Sequence, residues 1–443
     1  MNSKNDFSKG SIISNILRLS VPMTLAQLVN VLYNIVDRIY IGRMGSEPSL
    51  QLTGLGVCLP VITIVTAFAN LIGMGGAPLF SIKRGSGDEK ESQMILGNCF
   101  TMLWIFGILL TVIIFAVKEP LLLLLGASSS TLPYADEYLT IYLIGNTAVM
   151  LSLGLNSFIN AQGFGGIGMI TVIIGAGINI LLDPVFIHKF GIKGAALATV
   201  ISQTVAALWT LKFLTGKKAV VRLTFKSMKC SVKRVRKILF LGLSGFTMAV
   251  TNSAVQIACN ASLQKYGSDV YVGVMTIINS VREVVTMPVM GLTNSAQPII
   301  GFNYGAKEYG RVKEAIKYMS IILIGYTVFM WVIISIFPKA LIGIFTADVN
   351  LINAGVTSMH IYFFGFFLMA MQFCGQTVFT GIGRAKQAIF FSIFRKGIIV
   401  IPLTLILPIW FGVHGVFLAE PISNLIGGLA CFVTMYITVY RKL

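Results

Sequence analysis

NILLDPVFI, residues 179–187, lies inside an apolar run that extends from about residue 167 to 188. A run of that length has the dimensions of a helix that crosses a bilayer, for which about 20 residues are needed. Its aspartate is then out of place, because an acid at the centre of such a helix costs about 2.5–3.5 kcal/mol. Whether Asp183 is a buried membrane acid depends on whether the rest of the chain repeats the apolar pattern.

It does. Twelve apolar spans can be read, at approximately 15–42, 54–82, 93–117, 134–160, 167–188, 192–214, 236–264, 271–302, 312–337, 354–381, 388–411 and 413–440. Of the 443 residues 56% are hydrophobic and only 11% are charged, against about 25% charged in a soluble domain. Mean hydropathy is +0.84. The fold class expected is all-α integral membrane, with twelve transmembrane helices. The opening MNSKNDFSKGS is polar and has no short apolar core before a cleavage site, so no removable signal peptide is expected.

The formal charge of +18 invites a nucleic-acid reading. The placement of the charges argues for topology instead. With the N-terminus inside, 22 of the 34 basic residues fall on the inner side: Lys4 and Lys9, those at 83–90, the nine of the 215–237 linker, and those at 307–317, 384–386 and 441–442. Only Arg43, Lys118, Lys189, Lys193, Lys265 and Lys339 fall in outer loops. This is the positive-inside pattern. Both termini are expected in the cytoplasm, the chain in the plasma (cytoplasmic) membrane, and no nucleic-acid partner.

The linker divides the chain into two halves of six spans: 1–214, a basic linker at 215–235, and 236–443. The halves repeat weakly. Residues 15–45 align on 237–267, pairing Asn30 with Asn252 and Gly45 with Gly267. Pro78/Pro298, Gly85/Gly305, IYxxG at 141–145 and 361–365, Gly163/Gly383 and GxxG at 191–194 and 412–415 follow in order, at an offset of 220–222. Six spans is an even number, so the halves share one orientation. Two bundles related by a pseudo-two-fold axis along the membrane normal are expected, with a site between them.

Few acids fall within spans: Asp37, Asp183, Glu283 and Glu420. Such residues face a bundle interior or a watery cavity, or pair with a base. Arg38 and Arg282 adjoin Asp37 and Glu283, so ion pairs compete with function there. Glu420 precedes Pro421 and can serve backbone groups that the proline frees. Asp183 has more around it. Asn179 lies one turn earlier on the same face, and Pro184 frees the carbonyl of Ile180. A carboxylate, an amide and a loosened carbonyl suit a proton or a small hard cation such as Na⁺. The acids are not duplicated: Asp37 aligns with Cys259, and Asp183 with Leu403 or Thr404.

Other signals are discounted. The six cysteines have no CxxC spacing and read as packed, reduced thiols, and the three scattered histidines offer no zinc or haem site. GFGGIG (163–168) follows no strand and reads as a tight turn between spans. Asn260-Ala261-Ser262 is a sequon at membrane depth. No HExxH, GxSxG or Walker A motif is present. The 19 Met and 30 Phe read mainly as core and lipid-facing residues, and some as the lining of an adaptable cavity.

Four segments carry a family resemblance. SVPMTLAQLVNVLYNIVDRIYIGRMG (20–45) resembles the first helix of multidrug and toxic compound extrusion (MATE) transporters. INILLDPVFI (178–187) and GIKGAALATVISQ (191–203) resemble the fifth and sixth. MPVMGLTNSAQPIIGFNYGAKEYGRVKEA (287–315) resembles the eighth helix and the loop after it. The resemblance implies a prokaryotic exporter of two six-helix lobes around a central cavity. It implies expulsion of cationic or amphiphilic organic compounds in exchange for H⁺ or Na⁺, by alternating access. By motif, the coupling residues would be Asp37, Asn179 and Asp183, joined by Tyr138 and Thr199, with Na⁺ or a proton among them. Pro22 matches a proline where the first helix bends, and Pro184 is the second bending position. The seventh span, LSGFTMAVTNSAVQ (243–256), lacks the glutamate that some members carry there, which argues against a second cation site of that kind.

An antiporter is therefore the leading expectation, with no cofactor beyond the coupling ion, small organic substrates, the lipid bilayer as surroundings, and a monomeric state. A flippase for lipid-linked oligosaccharides, from the related superfamily, is the alternative. A membrane-embedded transferase would need paired carboxylates or a histidine at a membrane surface, so no enzyme activity is expected.

Overall fold

The computed structural model describes residues 7–43 and 48–443. Lys4 and Gly45, both used above, lie outside them, as does the side chain of Arg43. Among the described residues every element is a helix. In chain order they are α1 (Ile12–Arg43), α2 (Pro48–Gly85), α3 (Glu89–Leu124), α4 (Leu132–Ile144), α5 (Asn146–Ala161), α6 (Gly165–Phe190) and α7 (Ile192–Thr215). After a 3₁₀ turn at Phe225–Met228 come α8 (Val232–Tyr266), α9 (Asp269–Gly305), α10 (Tyr309–Ile336), α11 (Pro338–Gly343), α12 (Val349–Phe363) and α13 (Phe367–Gly381). The chain ends in α14 (Ala385–Ile393), α15 (Ile401–Phe411), α16 (Val413–Ser423) and α17 (Leu429–Met435), with wider π turns at Phe394–Val400, Asn424–Gly428 and Tyr436–Tyr440.

Among the described residues ten helical runs are long and apolar enough to span a bilayer, and twelve if each of two bent pairs counts as one span. The bent pairs correct the sequence reading, which took the fourth and tenth spans as continuous. α4 and α5 meet at 58°, and α12 and α13 at 44°. Both breaks fall at the last residue of the repeated IYxxG, Gly145 and Gly365.

The chain divides into two compact units: 1–9 with Val21–Gly242, and Gly10–Ser20 with Leu243–Leu443. In the first unit an apolar core runs from Ile41 through α2–α7 to Ile238. Helices approach closely where side chains vanish: a Cβ on Gly75 would stand 2.2 Å from the Ile238 carbonyl oxygen, and one on Gly242 1.8 Å from that of Leu71. The basic linker is pinned to α3. The Asn98 amide donates to the carbonyls of Ser227 and Lys229 and accepts from Ser231 N–H, while Arg234 forks onto Glu91 at 2.8 Å through two nitrogens. The second unit has its own core, in which Phe363, Phe366 and Phe417 are buried among residues of α8, α9 and α12.

The halves match in backbone detail. Gly163 and Gly383, which open the fifth and eleventh spans, have φ of 90° and 78°. Gly191 and Gly412, which close them, have φ/ψ of 57°/−136° and 57°/−145°. The offset is 220 at the first pair and 221 at the second, so the eleventh span holds one extra residue. The π turn at Phe394–Val400 accommodates it, as one-residue insertions in helices do.

Candidate functional site

α1, α4, α6 and α7 bring the expected coupling residues of the first unit together. Asn179 and Asp183 share a face of α6, as their spacing of four requires, and both are buried. The Asn179 amide nitrogen donates to Asp183 Oδ1 at 3.3 Å and to Thr199 Oγ1 of α7 at 3.5 Å. Asp37 of α1 is buried as well, with its carboxyl within hydrogen-bond reach of that of Asp183. Arg38 points outward, and among the described residues it forms no ion pair with Asp37. Tyr138 of α4 is buried near Asp37, stacked on Tyr142 at 6.2 Å.

Among the described residues three buried oxygens here have no hydrogen-bond partner: Asp37 Oδ1, Asn179 Oδ1 and Asp183 Oδ2. Two carboxyl groups in contact cannot both stay ionised in an apolar bundle without a compensating positive charge. A proton shared between them meets that need, and so does a small cation held by the three oxygens, which are hard ligands. The donor set fits either ion.

The sequence reading missed Tyr33, which is close enough to Asp37 and Asp183 to feel their charge. It lies one turn before Asp37, so the four-residue spacing that linked Asn179 to Asp183 marks it too. Tyr33 also lines a small cavity with Asn30, Asn156, Thr171, Gly175 and Gln203, one turn along α6 from Asn179.

The other intramembrane acids lie elsewhere. Glu283 is exposed on α9. Glu420 is buried in α16, where its carboxylate accepts from Lys396 Nζ at 2.9 and 3.0 Å and lies 3.5 Å from Arg395 Nη1. Its partners are these two bases, not backbone groups freed by Pro421. Neither base stands out in the sequence, where cations in so apolar a chain report topology. Pro22 and Pro184 lie inside continuous helices. All six cysteines are free, and only Cys230 in the linker is exposed. Among the described residues no three His, Cys, Asp or Glu side chains cluster.

The MatE family model matches residues 22–185 and again 244–406, so the second match begins 222 residues after the first. The multidrug export protein MepA of Staphylococcus aureus (strain MSSA476) is 26% identical over 437 residues, covering 97% of this chain and 95% of that one. MepA of Staphylococcus haemolyticus (strain JCSC1435) is also 26% identical, over 97% and 94%. The crystal structure of MATE in the bent conformation superposes with a TM-score of 0.93, at 23% identity, covering 100% of this chain and 99% of that one. The twofold family match spans most of the chain and takes in the segments around Asp37 and Asp183: this multi-pass membrane protein belongs to the MatE family of transporters.

Proposed function

We propose that the protein is a secondary exporter that exchanges cationic or amphiphilic organic compounds for H⁺ or Na⁺. The observation that carries this reading is the group of three donor-less buried oxygens on Asp37, Asn179 and Asp183. An incoming cation or proton neutralises the facing carboxyls and favours whichever arrangement of α1, α6 and α7 keeps them in contact. Loss of the ion restores their repulsion and favours another arrangement. An ion with different affinity for two access states shifts their populations, and the drug gradient is coupled to the ion gradient through that difference. Pro22 and Pro184 lie inside α1 and α6 and cannot donate to the helix ladder, which gives both helices places to flex. The positive-inside pattern supports a plasma-membrane location with both termini in the cytoplasm, and the S. aureus and S. haemolyticus relatives favour drug export over lipid-linked oligosaccharide flipping.

The test is Asp183→Asn in proteoliposomes, with substrate exchange driven by separate Na⁺ and H⁺ gradients. Exchange should fall by at least about tenfold, in the range of typical coupling factors. Undiminished exchange would overturn the assignment of Asp183.

A further inference from the structure

The second unit contains a cavity of about 270 Å³ for which the coupling mechanism has no use. We infer that this cavity binds the carboxylate of a small anionic amphiphile, with Arg395 and Arg282 as its recognition groups, as a second class of exported substrate. The word "exported" rests on the function proposed above; the binding does not.

The charges do not balance without a ligand. Arg282, Arg395 and Lys396 line the cavity, and the acids facing it or buried beside it are Glu283 and Glu420. Glu420 accepts from Lys396 at both oxygens and pairs at Oε1 with Arg395 Nη1, so one carboxylate serves two bases. Arg395 is 6% exposed, and its Nη1 is satisfied by the neutral amide oxygen of Asn424 and lies 3.5 Å from Glu420. Its Nε is buried and has no hydrogen-bond partner among the described residues. Among the described residues Arg282 forms no ion pair with a carboxylate. Glu283 follows Arg282 directly, about 100° further round α9, and is exposed.

The backbone sets this arrangement up. Adjacent residues of a regular helix point about 100° apart, yet Arg395 and Lys396 are both buried. The extra residue of the π turn at Phe394–Val400 changes the local register where these two side chains leave the helix. Room for the Arg395 stem comes from Gly427, where a Cβ would stand 2.9 Å from Arg395 Cγ.

The chemistry selects the ligand. Two guanidinium groups, of Arg282 and Arg395, lining one cavity favour a planar, two-oxygen acceptor, and a carboxylate matches their fork. Met248, Met290, Met369 and Phe373 line the same cavity beside amides such as Gln256 and Gln376, and thioether side chains adapt to apolar bodies of varied shape. The volume is near the lower end for small-ligand pockets. It holds one compact ring system or a short chain and leaves no space for the paired acyl chains of a phospholipid. A cation is excluded by the same bases that attract the anion.

The experiment uses the full chain in phosphatidylcholine nanodiscs, with no ion gradient, titrated with 1-pyrenebutanoate, its methyl ester and the matching pyrenebutyl trimethylammonium. Probe anisotropy is read against empty nanodiscs. The carboxylate should bind at least about tenfold tighter than the ester and the cation, the difference expected for a charge-assisted hydrogen bond. Arg282→Gln and Arg395→Gln should each remove that preference and leave ester binding unchanged, while Lys218→Gln in the exposed linker should leave all three probes unchanged. Arg282→Gln keeps the Glu420 pairs intact, so it decides the matter even where Arg395→Gln fails to fold. Equal binding of the three probes, or a full carboxylate preference in Arg282→Gln, overturns the site. Displacement of the carboxylate by phosphatidylglycerol in the disc overturns it too, by assigning the bases to a lipid headgroup. Carboxylate binding without any gradient-driven exchange would sink the exporter reading alone, and exchange of organic cations without carboxylate binding would sink this site alone.

Discussion

The two units repeat one order of spans and have opposite interiors. Asp37 meets Asp183 in the first unit; in the second, the aligned residues Cys259 and Thr404 meet at 4.0 Å. Contact between the same two positions in each unit shows that the scaffold was copied while its chemistry was not. Asn30 and Asn252, also aligned, each line their own unit's cavity. Around these fixed points the charge reverses. Where the first unit has Thr199, the second has Glu420, counting from Gly191 and Gly412. Where the first has the small Gly175 and Ala176 facing its cavity, the second has Arg395 and Lys396, presented by an inserted residue. A helical repeat can thus hold its packing while a few inward positions and one helix insertion convert a pair of facing carboxyls into a pocket with excess positive charge.

The sharpest way to break this comparison is to give the second unit its counterpart's residue. Glu420→Thr leaves Lys396 and Arg395 buried without a carboxylate, and stranding a buried charge costs about 3–5 kcal/mol. The expected result is a marked drop in thermal stability in detergent and in folded yield, with recovery when Lys396→Met is added. A neutral Glu420→Thr would mean that Glu420 does not hold the bases in place.

The two span breaks differ in a way that a second pair of variants sharpens. Gly145 sits at φ −86°, open to any residue, and is glycine for reasons of space: a Cβ there would stand 2.5 Å from Val200 Cγ2. Gly365 sits at φ +66° and is glycine for reasons of backbone. Gly145→Ala should destabilise by about 1–3 kcal/mol through overpacking and be rescued by Val200→Ala. Gly365→Ala should cost about 1–2 kcal/mol, and no trimming of a neighbour should rescue it. Thermal unfolding of the four proteins checks both claims.

These breaks also show where the sequence was legible. Twelve apolar runs, the order of the repeat and the shared face of Asn179 and Asp183 follow from periodicity, and all three recur in the structure. The bends did not follow, because hydropathy averages over a span and does not register one glycine at its middle; IYxxG marked both places without saying what happens there. The π turn was visible only as a change of offset from 220 to 221, which a weak alignment treats as noise. Arg395 and Lys396 were hidden by the expectation that bases in such a chain report topology. Tyr33 was within reach, since it stands one turn from an acid already identified.

The smallest expected effects come from the turns after α2 and α9, which are the same turn built from different residues. Asp88 and Glu308 precede α3 and α10 with φ/ψ of −84°/70° and −83°/65°. Asp88 caps its helix by accepting from Glu91 N–H at 3.1 Å, whereas Glu308, one methylene longer, makes no such bond. Before them stand Gly87 at φ 75° and Lys307 at φ 62°, the one non-glycine residue with positive φ among the described residues. Lys307→Gly should therefore stabilise the second unit by up to about 1 kcal/mol, less the entropy that glycine returns to the unfolded chain. Glu308→Asp should add the missing cap. The cap carries a pH signature whose sign follows from Asp88. The backbone N–H of Glu91, with Lys83 nearby, holds the Asp88 carboxyl below its ordinary range. Its contribution is thus fully present above the unfolded aspartate value of about 4 and is lost as pH falls through the lower folded value. In a pH series of thermal unfolding, Glu308→Asp should gain over the parent at neutral pH and lose that gain on acidification. A gain that persists in acid would mean that the stabilisation comes from shortening the side chain rather than from a charged cap.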